Sequence, residues 1–351
     1  MKLGEFPTPI KHLRHLGEEI GTDSLYLKHD GLSGKIYGGN KIRKLEFLLG
    51  DAIRKGAKEV LTFGFAGSNH ALATAIYAQN LGLKGISILL DQPNAHYVRR
   101  NLLLSHVFGS VNYHFKNKMG AYIPTTMALL QKKLKQGKFP YIIGPGGSSP
   151  LGAIGYVNAG FELKEQVESG LMPEPDRVFV ALGTMGTAVG LAIGLKAAGL
   201  KTRIVSVRVV DDKYANTKKF VKLHKKTADL ISSLDPSFPR VEITDDEVDI
   251  RHDFFGKQYA RFTEAGMAAI DLLAKSEGIW LEGTYTGKTM AALIDQVNRH
   301  STGREVILFW NTYNARDFSH AIKGTDYHQL PRGFHQYFHE EVQPLDKHPA
   351  E

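Results

Sequence analysis

Along this chain, short unbroken apolar runs alternate with longer stretches in which apolar residues recur every three or four positions. The runs at 59–63, 85–90, 177–182, 203–209 and 305–310, with a shorter one at 111–115, predict β-strands. Between them, 69–80, 97–106 and 186–198 carry helical spacing. Strands that are apolar on consecutive positions are buried on both faces. An alternating strand–helix order of this kind therefore implies parallel sheets covered by helices, an α/β fold. No internal repeat or low-complexity segment interrupts the pattern.

Composition narrows the picture. A chain of 351 residues with 42% hydrophobic and 23% charged residues can bury more than one core, and it is not a disordered polymer. Cysteine is absent, which excludes disulfides, thiolate metal sites and a cysteine nucleophile, and suits a reducing, cytoplasmic setting. Residues 1–7 contain no apolar leader core, and no apolar run nears the roughly 18 residues of a membrane span. The net charge of +8 raises nucleic acid as a partner. Yet the densest basic run, 218–226, has helical apolar spacing and is flanked by Asp211, Asp212 and Asp229, which reads as a solvated helix face. His335 and His339 stand four residues apart beside Glu340, but no further ligand lies at a telling spacing, so no metal site is assigned. The last thirty or so residues, aromatic and His-rich, read as a surface extension or a partner-facing arm with a frayed tip.

Glycine-marked turns carry the candidate chemistry. Gly38-Gly39-Asn40-Lys41 precedes Leu45, Leu48 and Leu49 at helical spacing, which puts Lys41 at a helix N-terminus. The positive helix end disfavours its ammonium, and a lysine of lowered pKa is what Schiff-base chemistry requires. A plain basic first turn would read the same. Gly67-Ser68-Asn69-His70 follows a strand and opens a helix. Ser68 and Asn69 suit capping, and the backbone N–H groups there also suit a substrate carboxylate. Gly183-Thr184-Met185-Gly186-Thr187 repeats the strand–turn–helix order and reads as a phosphate cradle with two hydroxyl donors. Its glycines do not follow G-x-G-x-x-G and no P-loop lysine comes after, which disfavours a nicotinamide dinucleotide despite Asp211 after the next strand. Tyr285-Thr286-Gly287-Lys288 precedes a helix, and Asn311-Thr312 ends the last strand, where open α/β sheets bind ligands. Either threonine also reads as a cap or turn residue.

From Phe6 to Thr312, these segments in their order resemble one family, the pyridoxal-phosphate (PLP) enzymes of the tryptophan-synthase-β-like fold (fold type II). The branch is that of D-cysteine desulfhydrase and 1-aminocyclopropane-1-carboxylate (ACC) deaminase. Phe6-Pro7-Thr8-Pro9, Leu27-Lys28-His29-Asp30-Gly31-Leu32, the stretch 38–47 and the stretch 146–156 carry the likeness. It implies two lobes: a large PLP-binding domain of 1–48 and 151–351, including the C-terminal extension, and a smaller inserted domain of 49–150. It further implies PLP in the cleft, held on Lys41 as a Schiff base, with Lys41 returning as the proton-transfer group. By the same likeness Gly183, Thr184, Met185, Gly186 and Thr187 hold the phosphate, and Asn69 meets the cofactor hydroxyl. Ser68, Asn69 and His70 serve the substrate side, with Ser68 counted among the catalytic residues. Tyr259 and Tyr285 lie near the substrate, and Thr286 and Thr312 near the cofactor. A homodimer acting on a small amino acid follows, with neither nucleic acid nor membrane as a partner.

The implied reaction removes the α-proton and the β-substituent, yielding an α-keto acid and ammonia. ACC deaminases resemble one another in carrying Glu and Leu where this chain has Thr286 and Thr312. The neutral threonines favour the D-cysteine desulfhydrase side. Three departures leave the substrate open: Gly67 where the family has Gln, Gln258-Tyr259-Ala260 for its Gly-Tyr-Gly, and Tyr313-Asn314 for two glycines. ACC deamination, another PLP reaction, or a catalytically diverged binding protein are the alternatives.

Overall fold

The protein is described by a computed structural model, which covers residues 1–136, 139–300 and 305–347. The chain forms two compact units, one of residues 4–44 and 148–316, the other of 1–3, 45–147 and 317–351. In chain order the elements are β1 Ile10–His12, α1 Arg14–Ile20, β2 Leu25–His29, α2 Lys41–Arg54, β3 Glu59–Phe65, α3 Asn69–Asn80, β4 Lys84–Leu90 and α4 His96–Val107. Next come β5 Val111–Phe115, α5 Lys118–Gln136, β6 Tyr141–Ile143, α6 Pro150–Glu168, β7 Arg177–Leu182, α7 Gly186–Ala197, β8 Arg203–Arg208 and α8 Thr217–Leu234. The chain closes with β9 Asp249–Arg251, α9 Glu264–Glu277, α10 Thr286–His300, β10 Ile307–Asn311, α11 Ser319–Ile322 and α12 Gln336–His339.

The first unit is built on a six-stranded sheet in the order β1-β2-β10-β7-β8-β9. All pairs are parallel except β1 with β2. Alternate residues of β10 feed two cores. Leu308 and Trp310 pack with α6, α7 and α8, whereas Ile307 and Phe309 face α1, α9 and α10. This two-sided burial is why the strand reads as one continuous apolar run. Helices α6 and α7 approach closely because glycines line their seam. A Cβ on Gly190 would lie 2.4 Å from Ala153 O, and one on Gly194 would lie 2.3 Å from Val157 O. The later glycines after the 183–187 turn therefore serve packing.

The second unit carries a four-stranded, wholly parallel sheet in the order β5-β4-β3-β6. Leu61, Ile86 and Ile88 of its strands pack against Ala121 of α5. The tail, expected to belong with the larger domain, belongs to this unit instead. Its Phe334 and Tyr337 are buried, and Asn94 and Arg99 both donate to Tyr337 O. Apolar burial and backbone hydrogen bonds thus hold the described part of the tail, where a surface arm was expected. The tip, 348–351, lies outside the described residues. Among the described residues, no helix is long and apolar enough to cross a membrane.

Beneath β2 and β10 lies a largely buried charged cluster in which Glu162 alone keeps slight exposure. Arg43 donates to both oxygens of Asp30 and both of Glu162, and Lys28 also donates to Glu162. Tyr156 OH and Trp310 Nε1 complete the shell of Asp30. Burial alone would push the Asp30 carboxyl up, but Arg43 and its hydrogen bonds bring it down to about 2. Arg43→Met strands two buried carboxylates and is expected to cost about 3–5 kcal/mol in urea denaturation followed by circular dichroism. Trp310→Phe, which removes one hydrogen bond to Asp30, is expected to cost about 1–2 kcal/mol. The Asp30 contribution is fully present above its unfolded-chain pKa of 3.8 and is lost as the pH falls through about 2. In Asp30→Asn the acid limb of the stability–pH curve should therefore flatten.

Candidate active site

The turn before Lys41 is fixed by its surroundings. A Cβ on Gly38 would stand 1.8 Å from Gly31 O, and Gly39 adopts φ +90°. Gly39 N–H donates to Asp30 O at 2.7 Å, and Asn40 N–H donates to Thr312 O at 3.1 Å. Asn314 Oδ1 accepts from Gly38 N at 2.7 Å, so the residue standing where the family has glycine ties this turn in place. Helix α2 then starts at Lys41, as its spacing predicts. Withdrawal from water lowers the Lys41 amine to about 8, against the opposing charge of Glu282. One turn on, the amine of buried Lys44 donates to Ser148 Oγ at 3.2 Å. Burial, reinforced by the charge of Lys41, lowers Lys44 well below the ordinary lysine range.

The 183–187 turn joins β7 to α7. Met185 at its centre adopts φ 68°, a left-handed conformation unusual for a side-chain-bearing residue. A residue of this hand next to right-handed backbone turns successive N–H groups to one side, the concavity that binds anions. Ser148 Oγ accepts from Gly186 N at 3.1 Å and bonds Thr184 Oγ1 at 2.7 Å. A Cβ on Gly186 would lie 2.6 Å from that hydroxyl, so only glycine fits. Asn40 Nδ2 donates to Thr187 Oγ1 at 3.0 Å, connecting this turn to the residue before Lys41.

The 282–288 segment closes this side. The buried Glu282 carboxylate accepts from Thr284 N at 2.8 Å, Tyr285 N at 2.8 Å and Thr286 N at 2.7 Å. Burial raises its pKa while these bonds oppose the rise. Thr286 Oγ1 accepts from Glu282 N at 3.0 Å and donates to its carboxylate at 3.1 Å, so the hydroxyl is taken up by Glu282, whose carboxylate receives the N–H groups at the start of α10. Tyr285 OH and Tyr259 OH are 2.5 Å apart. Burial, then the neighbouring tyrosine, holds Tyr259 well above the ordinary phenol range and so protonated. Ala260 adopts φ +61°, which explains the glycine that the family pattern expects there. The Tyr285 ring borders Gly183, where a Cβ would lie 3.4 Å from it.

Lys41, the 183–187 turn, Tyr259, Tyr285, Thr286 and Thr312 thus all belong to one unit. Ser68, Asn69 and His70 belong to the other. There Ser68 Oγ caps α3 by accepting from Ala71 N at 3.2 Å. Asn69 Oδ1 accepts from Asn101 Nδ2 at 2.9 Å, and His70 is buried against Gly147. Sequence reasoning missed Asn40, Lys44, Ser148 and Glu282 as site residues. Lys44, one helical turn after Lys41, was the readable signal, whereas the reach of Ser148 to the 183–187 turn is a tertiary fact.

The donor set fits PLP. An amine of lowered basicity suits its aldehyde, and an N–H-lined helix start with a serine, two threonines and a buried lysine suits its phosphate. A dianion there would favour the charged form of Lys44, which its surroundings otherwise disfavour.

Comparison with known proteins agrees. The family model described as "Pyridoxal-phosphate dependent enzyme" matches residues 1–312. A Pyrococcus horikoshii protein provisionally named 1-aminocyclopropane-1-carboxylate deaminase is 35% identical, covering 89% of this chain and 90% of its own. The D-cysteine desulfhydrase of Serratia proteamaculans is 35% identical, covering 84% and 90%. A solved ACC deaminase homologue superposes with a TM-score of 0.76 at 34% identity, covering 89% of this chain and 91% of its own. The chain therefore belongs to the pyridoxal-phosphate-dependent enzymes, in the branch that holds these desulfhydrases and deaminases.

Proposed function

We propose that this PLP-dependent lyase eliminates the β-substituent of a small D-amino acid, with D-cysteine as the model substrate, giving pyruvate, ammonia and sulfide. The observation that carries the choice is Thr286. It places a neutral side chain where the deaminase pattern has a carboxylate; its hydroxyl is taken up by Glu282, and that carboxylate is itself occupied by three backbone N–H groups. A neutral partner makes a weaker electron sink, sufficient when a thiolate leaves but poor for opening a cyclopropane.

When bound, PLP supplies an electrophilic carbon for the substrate amine and a ring that accepts the electron pair of the Cα–H bond. Lys41 Nζ would hold the cofactor through its aldehyde and would serve as the base that takes the proton from the substrate Cα. The 183–187 turn, Ser148 and Lys44 grip the phosphate and so orient the ring. Ser68 and Asn69, at the start of α3, take the substrate carboxylate through N–H groups and hydroxyl. The paired Tyr259 and Tyr285 hydroxyls hold a proton available to the departing sulfur. The family likeness also carries a cytoplasmic homodimer. Light scattering at two chain masses would support the dimer, and one chain mass would remove it.

Lys41→Ala should give a colourless protein and lower turnover about 10³-fold or more, read by absorbance and by release of α-keto acid. Covalent capture of added PLP by apoenzyme needs the neutral amine. Its rate should rise as the pH passes through about 8, well below the 10.5 of an ordinary lysine. Assays with D-cysteine, β-chloro-D-alanine, ACC and D- and L-serine decide the substrate. Turnover of ACC alone would overturn the Thr286 argument, and bound PLP without any turnover would favour a diverged binding protein.

A further inference from the structure

The family match ends at residue 312, yet the tail beyond it is hydrogen-bonded to α4 and, repeatedly, to the loop 91–96 that follows β4. Tyr337 OH accepts from Gln92 N at 3.0 Å and lies 3.3 Å from Asp91 Oδ1. Asn94 Nδ2 donates to Tyr337 O and Glu340 O, both at 2.9 Å, and Gln343 N–H donates back to Asn94 O at 3.0 Å. His96 N–H donates to Asp346 at 2.6 Å. This is a built interface in which Asn94 both donates through its side chain and accepts through its main chain.

The loop in turn shapes the 67–69 turn. Gln92 Oε1 accepts from Gly67 N at 2.9 Å, and Gln92 Nε2 donates to Tyr97 OH at 2.8 Å. A Cβ on Gly67 would lie 2.7 Å from the Tyr97 ring, 2.8 Å from Val98 Cγ2 and 3.1 Å from Gln92 Nε2, so Tyr97, Val98 and the glutamine amide together fill the space that a side chain at 67 would need. On the other flank, buried Asn101 donates to Gly67 O at 3.0 Å and to Asn69 Oδ1 at 2.9 Å. With Oδ1 occupied, Asn69 is left with its NH₂ group to offer a ligand.

We propose that Gln92 and Asn101 are positioning residues that set the Gly67–Asn69 turn for the amino-acid carboxylate, and that the C-terminal segment controls this setting through Tyr337. The proposal deepens the function above and rests on its assignment of Ser68 and Asn69. Gln92 clamps the N–H of Gly67 and Asn101 its carbonyl, so the peptide planes that present the N–H groups of residues 68 and 69 cannot rotate freely. Tyr337 fixes the backbone from which Gln92 reaches.

The test uses holoenzyme with Gln92→Ala, Gln92→Glu and Tyr337→Phe, reading KM against kcat together with hydrogen–deuterium exchange over residues 64–72. Gln92→Ala should raise KM about tenfold and Tyr337→Phe about threefold, with kcat within about twofold and faster exchange at 67–69 in both. Gln92→Glu keeps the acceptor for Gly67 N–H and should restore slow exchange, while its charge beside the carboxylate raises KM. Unchanged KM and unchanged exchange in the alanine and phenylalanine variants overturn the proposal. So does a lowered Tm with neither readout moved. Should the wild-type enzyme turn over no amino acid, the functional assignment fails, while the exchange measurement still decides whether Gln92 and Tyr337 hold the turn.

Discussion

The guanidinium of Arg43 is the fixed point around which the catalytic side of the molecule is arranged. Two carboxylates, the fully buried Asp30 and the largely buried Glu162, converge on it, and Thr8, Tyr156, Trp310 and Lys28 also donate to them. An ion cluster of this kind costs several kcal/mol of desolvation per charge, so it persists only when every partner is in place. Because Arg43 shares the first turn of α2 with Lys41 and Lys44, satisfying the cluster also fixes the start of that helix. The position of the reactive amine is thereby tied to β2, α6 and β10.

Around that amine the electrostatics run against the usual preference for charge. Lys41 and Lys44 sit one turn apart and repel, and both are withdrawn from water. The nearest counter-charge acting on Lys41, Glu282, is itself spread over three backbone N–H groups. The site is rich in hydrogen-bond donors, and its two lysines give up their protons more readily than exposed ones, which suits an anionic, aldehyde-bearing ligand. The left-handed Met185 carries a backbone cost of about 1–3 kcal/mol, offset by the packing of α7 on α6.

The sheet-forming runs were legible because burial on both faces writes itself as consecutive apolar letters. Strands β5 and β7 and helix α3 begin and end at the residues their patterns mark. Lys41 and the 183–187 turn were legible because glycine must stand where backbone turns or approaches closely. Partners distant in sequence were not legible. Nothing local in Ser148 tells of Gly186, and Gln92 is an ordinary loop polar until its amide meets Gly67. The tail misled for a related reason: histidines and charges dominate its letters, while the few residues that anchor it, Leu330, Phe334 and Tyr337, are widely spaced and buried.

That tail has a consequence for how the chain is made. The unit built on residues 45–147 also includes the tail from residue 317 to 347, and the whole 148–316 segment is translated between them. Synthesis at about 5–20 residues per second leaves the first segment waiting on the order of ten seconds or more for its missing edge. Until α12 emerges from the ribosome, loop 91–96 lacks the bonds that Tyr337 and Gln343 make to Gln92 N and Asn94 O. A chain synthesised only as far as residue 316 would contain every segment of the unit of residues 4–44 and 148–316, while the other unit would still lack its tail.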